Sequence, residues 1–114
     1  MAKNYVQEGK VLRLAVPQGT VSGDPVVVGQ LAGVALVDRD ADGYSQVQLE
    51  GVFSLSVKGV DGIGNSAVAV GDAIYYVSAD TPPLSKKNTG VLFGYALEAV
   101  AAGATATIKV RMKG

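Results

Sequence analysis

Hydrophobic and polar residues alternate without a break along TATIKVRMK, residues 105 to 113. Ala106, Ile108, Val110 and Met112 fall on one face, and Thr105, Thr107, Lys109, Arg111 and Lys113 on the other. A period of two with one wet face predicts a strand of an antiparallel sheet lying over a core. Residues 46 to 58, QVQLEGVFSLSVK, repeat the pattern with Val47, Leu49, Phe53, Leu55 and Val57 on one side. Gly51 keeps that register at a point suited to a bend or bulge in one long strand. Shorter strands are predicted at Val11 to Val16, Pro25 to Val28, Gly33 to Val37, Ala73 to Val77 and Val91 to Ala99. Between them stand turn signals, among them Pro17-Gln18-Gly19, Ser22-Gly23-Asp24, Asp42-Gly43, Asp61-Gly62, Gly71-Asp72 and Ala102-Gly103. Only Tyr95 to Ala102 reads ambiguously between strand and helix. The pattern predicts an all-β protein: a single antiparallel domain over residues 11–114, a sandwich or barrel of jelly-roll-like type, preceded by an N-terminal arm over residues 1–10.

An internal two-fold repeat competes with chance in so Gly-, Ala- and Val-rich a chain. The first half carries GDPVVV, GVALV, a glycine turn and VQLEG; the second carries GDAIYY, GYALEA, a glycine turn and TIKVR. In this alignment Gly23-Asp24 answers Gly71-Asp72, Gly33 answers Gly94, and Val47 to Leu49 answer Ile108 to Val110. The second copy has an insertion containing DTPPLSKKN between its first two strands.

Composition narrows the chemistry. A chain of 114 residues is long enough for one real core. Hydrophobic residues make up 48% but aromatics only 6%, so that core is built from Val, Leu, Ile and Ala, which suits sheets. Cys and His are both absent. Disulfides, thiolate metal sites, cysteine nucleophiles, serine-histidine triads and imidazole bases are thereby excluded. No carboxylate pair or activated nucleophile stands out, so an enzyme is not expected, nor is a cofactor. Ten basic and ten acidic residues cancel, and no global field draws the chain to nucleic acid or an anionic membrane. No stretch has the length of a membrane span or the apolar core of a signal peptide.

Five motifs invite a sharper reading. Asp38, Asp40 and Asp42, followed by Gly43, match the opening of an EF-hand loop. Position 12 of that loop is Leu49 rather than the bidentate Glu, and both flanks read as strands. A hairpin turn is the expected use of these residues, with a weak surface cation site as the remainder. Residues 62 to 67, GIGNSA, have dinucleotide-loop spacing but no helix to follow, so a flexible loop is expected. Tyr75 and Tyr76 are adjacent on a strand, one facing in and one out. Pro82, Pro83, Lys86 and Lys87 lie in SADTPPLSKKNTG, the most loop-like segment and a natural contact element. Asn4, Tyr5 and Val6 sit in the polar arm, where Tyr5 and Val6 are apolar with little folding need for them; either they pair as an edge strand within their own domain or trimer, or the arm orders on a partner, adding its backbone to an exposed sheet edge there while Tyr5 fills a pocket.

Taken in order, MAKNYVQEGKVLRL, SGDPVVVGQLAGVAL, VQLEGVFSLSV, VGDAIYY and GYALEAVAAGATATIKVRMKG resemble a family of small tailed-bacteriophage proteins. The family was long catalogued as a domain of unknown function, and some members are described as capsid cement or head decoration proteins. The resemblance spans nearly the whole chain and is one of glycine turns and strands in order. It implies an all-β structural virion protein, made in the host cytoplasm, that binds the outside of an icosahedral head and cements neighbouring subunits of the major capsid protein. It also implies a homo-oligomer, a trimer slightly favoured over a dimer, with neither nucleic acid nor membrane as partner. The alternative is a phage tail or receptor- and carbohydrate-binding β-module. Such modules stack sugars on exposed aromatics, and a chain with no Trp, two Phe and five Tyr is poorly supplied for that.

Overall fold

The unbroken alternation near the C-terminal end forms the longest strand, and its two faces fall as the pattern predicts. Ile108, Val110 and Met112 are buried, while Thr105, Thr107, Lys109 and Arg111 are exposed. The computed structural model describes residues 11–112, and among them are nine strands and no helix. In chain order these are β1 (Val11–Ala15), β2 (Pro25–Val28), β3 (Leu31–Ala35), β4 (Tyr44–Gln48), β5 (Val52–Lys58), β6 (Ala73–Tyr76), β7 (Leu84–Ser85), β8 (Val91–Ala96) and β9 (Thr105–Met112). The first four form an open sheet in the order β1-β4-β3-β2; the last five close into a barrel in the order β5-β7-β6-β8-β9. All pairs are antiparallel except β5 with β7.

The two halves are copies of one plan. Strands β1, β2, β3 and β4 correspond to β5, β6, β8 and β9, with β7 as the extra piece. The Gly-Asp turns agree bond for bond. Gly23 N–H donates to Ala35 O at 2.7 Å and Gly71 N–H to Ala96 O at 2.7 Å. Asp24 and Asp72 each accept, on Oδ2, the N–H three residues earlier, from Val21 at 3.0 Å and Ala69 at 2.8 Å. Gly23 and Gly71 have φ of 91° and 90°, the left-handed region that a Cβ disfavours. The alignment of the last strands shifts by two residues from the sequence expectation. Ala35 pairs with Val47 and Ala96 with Val110, so Val47 answers Val110 rather than Ile108. A shift of two preserves the buried face, which is why the sequence pattern could not distinguish them.

The larger core fills the barrel with Leu55, Val57, Ile74, Leu84, Phe93, Val110 and Met112, and reaches out to Ala32 and Val34 on β3. Strand β3 lies against β8, so its outer face joins the halves while Ala35 on its inner face meets Val16, Val26 and Val47. The all-β, single-domain expectation holds, and the barrel is the arrangement that the second half adopts.

Several boundaries differ from expectation for local reasons. Residues 46 to 58 are two strands in different sheets, because the chain turns at Gly51, whose φ is 113°. The predicted face survives the break: Val47, Leu55 and Val57 are buried, Leu49 and Phe53 half-buried. Strand β3 starts at Leu31 rather than Gly33, since the tight turn at Gly29-Gln30 sets Val28 opposite Leu31. Strand β8 stops at Ala96, after which Val100 forms only a single bridge with Val68. Tyr75 and Tyr76 are both half-buried, because the register shifts between Ile74 and Tyr75. Tyr76 stacks on Phe93 with ring centroids 6.4 Å apart. The most loop-like segment contains β7, too short for any periodicity to reveal, with Leu84 and Ser85 fully buried.

Ile108 and Lys109 test the register of β9. Ile108→Ala is expected to cost about 2–5 kcal/mol and Lys109→Ala to stay within about 0.5 kcal/mol. Urea unfolding of both variants measures this, and equal losses would mean that the register is wrong.

Candidate functional site

The acidic run turns between β3 and β4. Asp40 Oδ1 accepts the N–H of Asp42 and of Tyr44, both at 2.9 Å, and Gly43, at φ 89°, donates to Asp40 O at 3.0 Å. Asp38 is turned away to cap the N–H of Ser22 at 2.9 Å. The guanidinium of Arg13 lies over the Tyr44 ring and reaches Asp40 at 3.3 Å and Asp42 at 3.9 Å. A cation is thus already built into the turn. Among the described residues, no group of three or more acidic side chains that could hold a metal ion occurs. The Tyr44 N–H, then that of Asp42 and the charge on Arg13, hold the Asp40 carboxyl below its ordinary value.

The contact residues expected around Pro82 to Lys87 sit at one end of the barrel. Pro82, Pro83, Lys86 and Lys87 are all half-buried. Lys86 works as an internal strut, its Nζ donating to Ser66 Oγ at 3.1 Å and Ala67 O at 3.0 Å and lying 3.4 Å from Asp72. The hydrogen bond from the Ala69 N–H, helped by Lys86, lowers the pKa of Asp72. Lys87 pairs with Asp80 at 2.8 Å. Asn4, Tyr5 and Val6 lie outside the described residues.

What the β7 segment faces is the GIGNSA loop, whose tip is closed by its own hydrogen bonds. Asp61 Oδ1 accepts the N–H of Ile63 at 2.8 Å and of Gly64 at 3.0 Å, while Gly64 O accepts the N–H of Asp61 at 2.8 Å. These bonds lower the pKa of Asp61, Gly64 contributing most. Val60 bridges to Asn65 below the tip, and Lys86 N–H donates to Val60 O at 2.9 Å, tying the loop to β7. The turn holds Ile63 at 99% exposure. Between this loop and the β7 segment lies a shallow depression of about 330 Å³ lined by Lys58, Asp61, Asp80, Pro82 and Lys87 among others. The barrel end thus presents an exposed apolar tip, held by a hydrogen-bonded turn, beside a rim of mixed charge. Fixed apolar groups ringed by polar ones are the anatomy of a protein interface, since little entropy is lost when they dock. Sequence reading missed Ile63. The signal was present in Asp61-Gly62-Ile63-Gly64, where an Asp side chain can fold back on the amides two and three residues on.

A family model described as phage cement protein matches residues 6–112. No curated protein and no solved structure matches the chain. The chain belongs to the phage cement protein family, a family of structural phage proteins.

Proposed function

We propose that this chain binds the outer surface of a phage head and cements neighbouring subunits of the major capsid protein. The match to the cement family over residues 6–112 carries the reading. In it the protein is made in the host cytoplasm, works at the capsid surface without catalysis or nucleic acid, and acts as a homo-oligomer, a trimer in preference to a dimer. The barrel end is the face assigned to the shell: Ile63 as the apolar anchor, Pro82, Pro83 and Lys87 beside it, and Lys86 holding the two segments together. The segment around Asn4, Tyr5 and Val6 is assigned to an exposed sheet edge of the capsid. A neutral chain has little electrostatic steering, so affinity comes from shape and from many simultaneous contacts.

Ile63→Asp is the direct test. The side chain touches so little of its own fold that stability is expected to change by no more than about 0.5 kcal/mol. Binding to purified empty capsids, followed by co-sedimentation, is expected to weaken by about tenfold or more, or about 1.4 kcal/mol. Wild-type affinity in the variant would remove this face from the interface. Electron microscopy of virions carrying labelled protein checks the reading itself, and label at the tail tip instead of the head would overturn it.

A further inference from the structure

Glycine loses more freedom on folding than any other residue, and a fold justifies it by a positive φ or by a close approach that leaves no room for a Cβ. Two glycines of this chain meet neither condition. Seven of the described glycines have φ between 62° and 113°. Four more, Gly33, Gly59, Gly90 and Gly94, sit so near neighbouring backbone that a Cβ would collide with a carbonyl oxygen. Gly62 and Gly64 have no positive φ, and a Cβ built on either meets nothing within 4 Å. They flank Ile63, which is 99% exposed, where the next most exposed large hydrophobic residue, Val70, is at 68%. Among the described residues nothing uses this bare apolar tip, so its shape answers to something outside the chain. Close approach of a partner to the backbone is the remaining use of glycine.

We propose that Ile63 enters an apolar pocket of a capsid subunit down to its own backbone, with Gly62 and Gly64 as a collar free of side chains around which the mouth of the pocket closes. One apolar side chain between two glycines has the form of a plug, and the surface that fits a plug is concave. A flat surface would touch Ile63 and leave the glycines in water, where they gain nothing. Asp61 is the positioning residue. Its Oδ1 accepts the N–H of Ile63 at 2.8 Å and of Gly64 at 3.0 Å, and its own N–H donates to Gly64 O at 2.8 Å. A backbone amide carried into an apolar pocket without a partner opposes docking, because it gives up water for nothing. Both amides of the tip bring their partner with them, so the tip is ready for burial. This fit presupposes the capsid binding proposed above, and it names the partner surface that the barrel end meets.

Gly62→Ala and Gly64→Ala, made separately in the full chain, distinguish a plug from a turn that is merely exposed. Alanine restricts the unfolded chain and meets no neighbour at either place, so urea unfolding is expected to show both variants at least as stable as the parent. A better-ordered tip would by itself bind as well as before or better. With a pocket mouth closed on the collar, the added methyl is overpacked, and co-sedimentation with purified empty capsids is expected to show binding weakened about tenfold. In an Ile63→Ala background the same substitutions are expected to lose most of that effect, since the pocket is no longer entered; full additivity overturns the proposal. Asp61→Asn, whose Oδ1 still accepts both amides, is expected to bind as the parent does, and Asp61→Ala to bind about tenfold more weakly. Glycine variants with parental affinity overturn the proposal and leave the cementing reading standing. A parent chain that does not co-sediment removes the cementing reading, and the pocket with it, so the two failures are told apart by the parent alone. Weakened self-association of the glycine variants in analytical ultracentrifugation, with capsid binding unchanged, would give the pocket to a second copy and overturns the proposal too.

Discussion

Gly94→Ala is expected to destabilise the protein by about 3 kcal/mol or more, the upper end of what overpacking usually costs. A Cβ at Gly94 would be driven into the carbonyl oxygen of Arg111, and it would also crowd Met112 Cα at 3.3 Å. Gly94 is paired with Met112 in the ladder between β8 and β9, so the obstacle is backbone that cannot retreat without opening the barrel. An opposing gain exists, because alanine restricts the unfolded chain and returns about 0.4–1 kcal/mol. That gain is smaller than the steric loss. Gly33 holds the matching place in the first half, where a Cβ would come within 2.6 Å of Gln48 O and of Val47 Cγ1. Among the described residues its sheet is not closed into a ring and has more room to relax, so Gly33→Ala should cost less than Gly94→Ala. Gly62→Ala, with nothing within 4 Å and no positive φ, should be close to neutral. Chemical denaturation of the three variants gives the order. A Gly94→Ala protein as stable as the parent would mean that β8 and β9 are not this close.

The same comparison of halves marks what the sequence could and could not disclose. Alternation reveals any strand with one wet face, so β9 and the buried side of β4 and β5 were legible from Val47, Leu55, Val57, Ile108 and Val110. The Gly-Asp turns disclosed the repeat, because a left-handed glycine followed by an amide-capping Asp is a specific local device. Strand β7 was hidden since two residues have no period, and its neighbours Pro82 and Pro83 argue for loop. Closure of the barrel depends on that strand alone, so open sheet and closed ring have nearly the same sequence signature. Of the candidate site, the segment around Lys87 was legible as a loop rich in Pro and Lys. Ile63 was not, because an apolar residue between two glycines reads as an accident until Asp61 is seen to fix it. Lys86 shows the opposite error, a charge expected outside that is spent on Ser66, Ala67 and Asp72 within.

Removal of residues 2–8 is expected to separate folding from assembly. The barrel core, from Leu55 to Met112, and the smaller core of Val16, Val26, Ala35 and Val47 are both assembled by residues within 11–112. The melting temperature of the isolated chain should therefore stay nearly unchanged. If the segment joins one copy to the next, the truncated protein should sediment as a monomer. A monomer engages the shell through one barrel end rather than through several held together, and the loss of multivalency alone weakens binding by a factor of about a hundred or more. Even a much poorer oligomer than a rigid trimer should make the loss exceed about tenfold, which is about 1.4 kcal/mol. Co-sedimentation with empty capsids, done alongside analytical ultracentrifugation of the free protein, measures both quantities on one preparation. Truncated protein that unfolds would assign the segment to its own domain's core, and truncated protein that still assembles and binds as tightly as the full chain would show that the segment joins nothing. A truncated monomer that regains both assembly and capsid affinity when residues 1–10 are restored, but not when they carry Tyr5→Asp and Val6→Asp, would tie the clamp to those two apolar side chains.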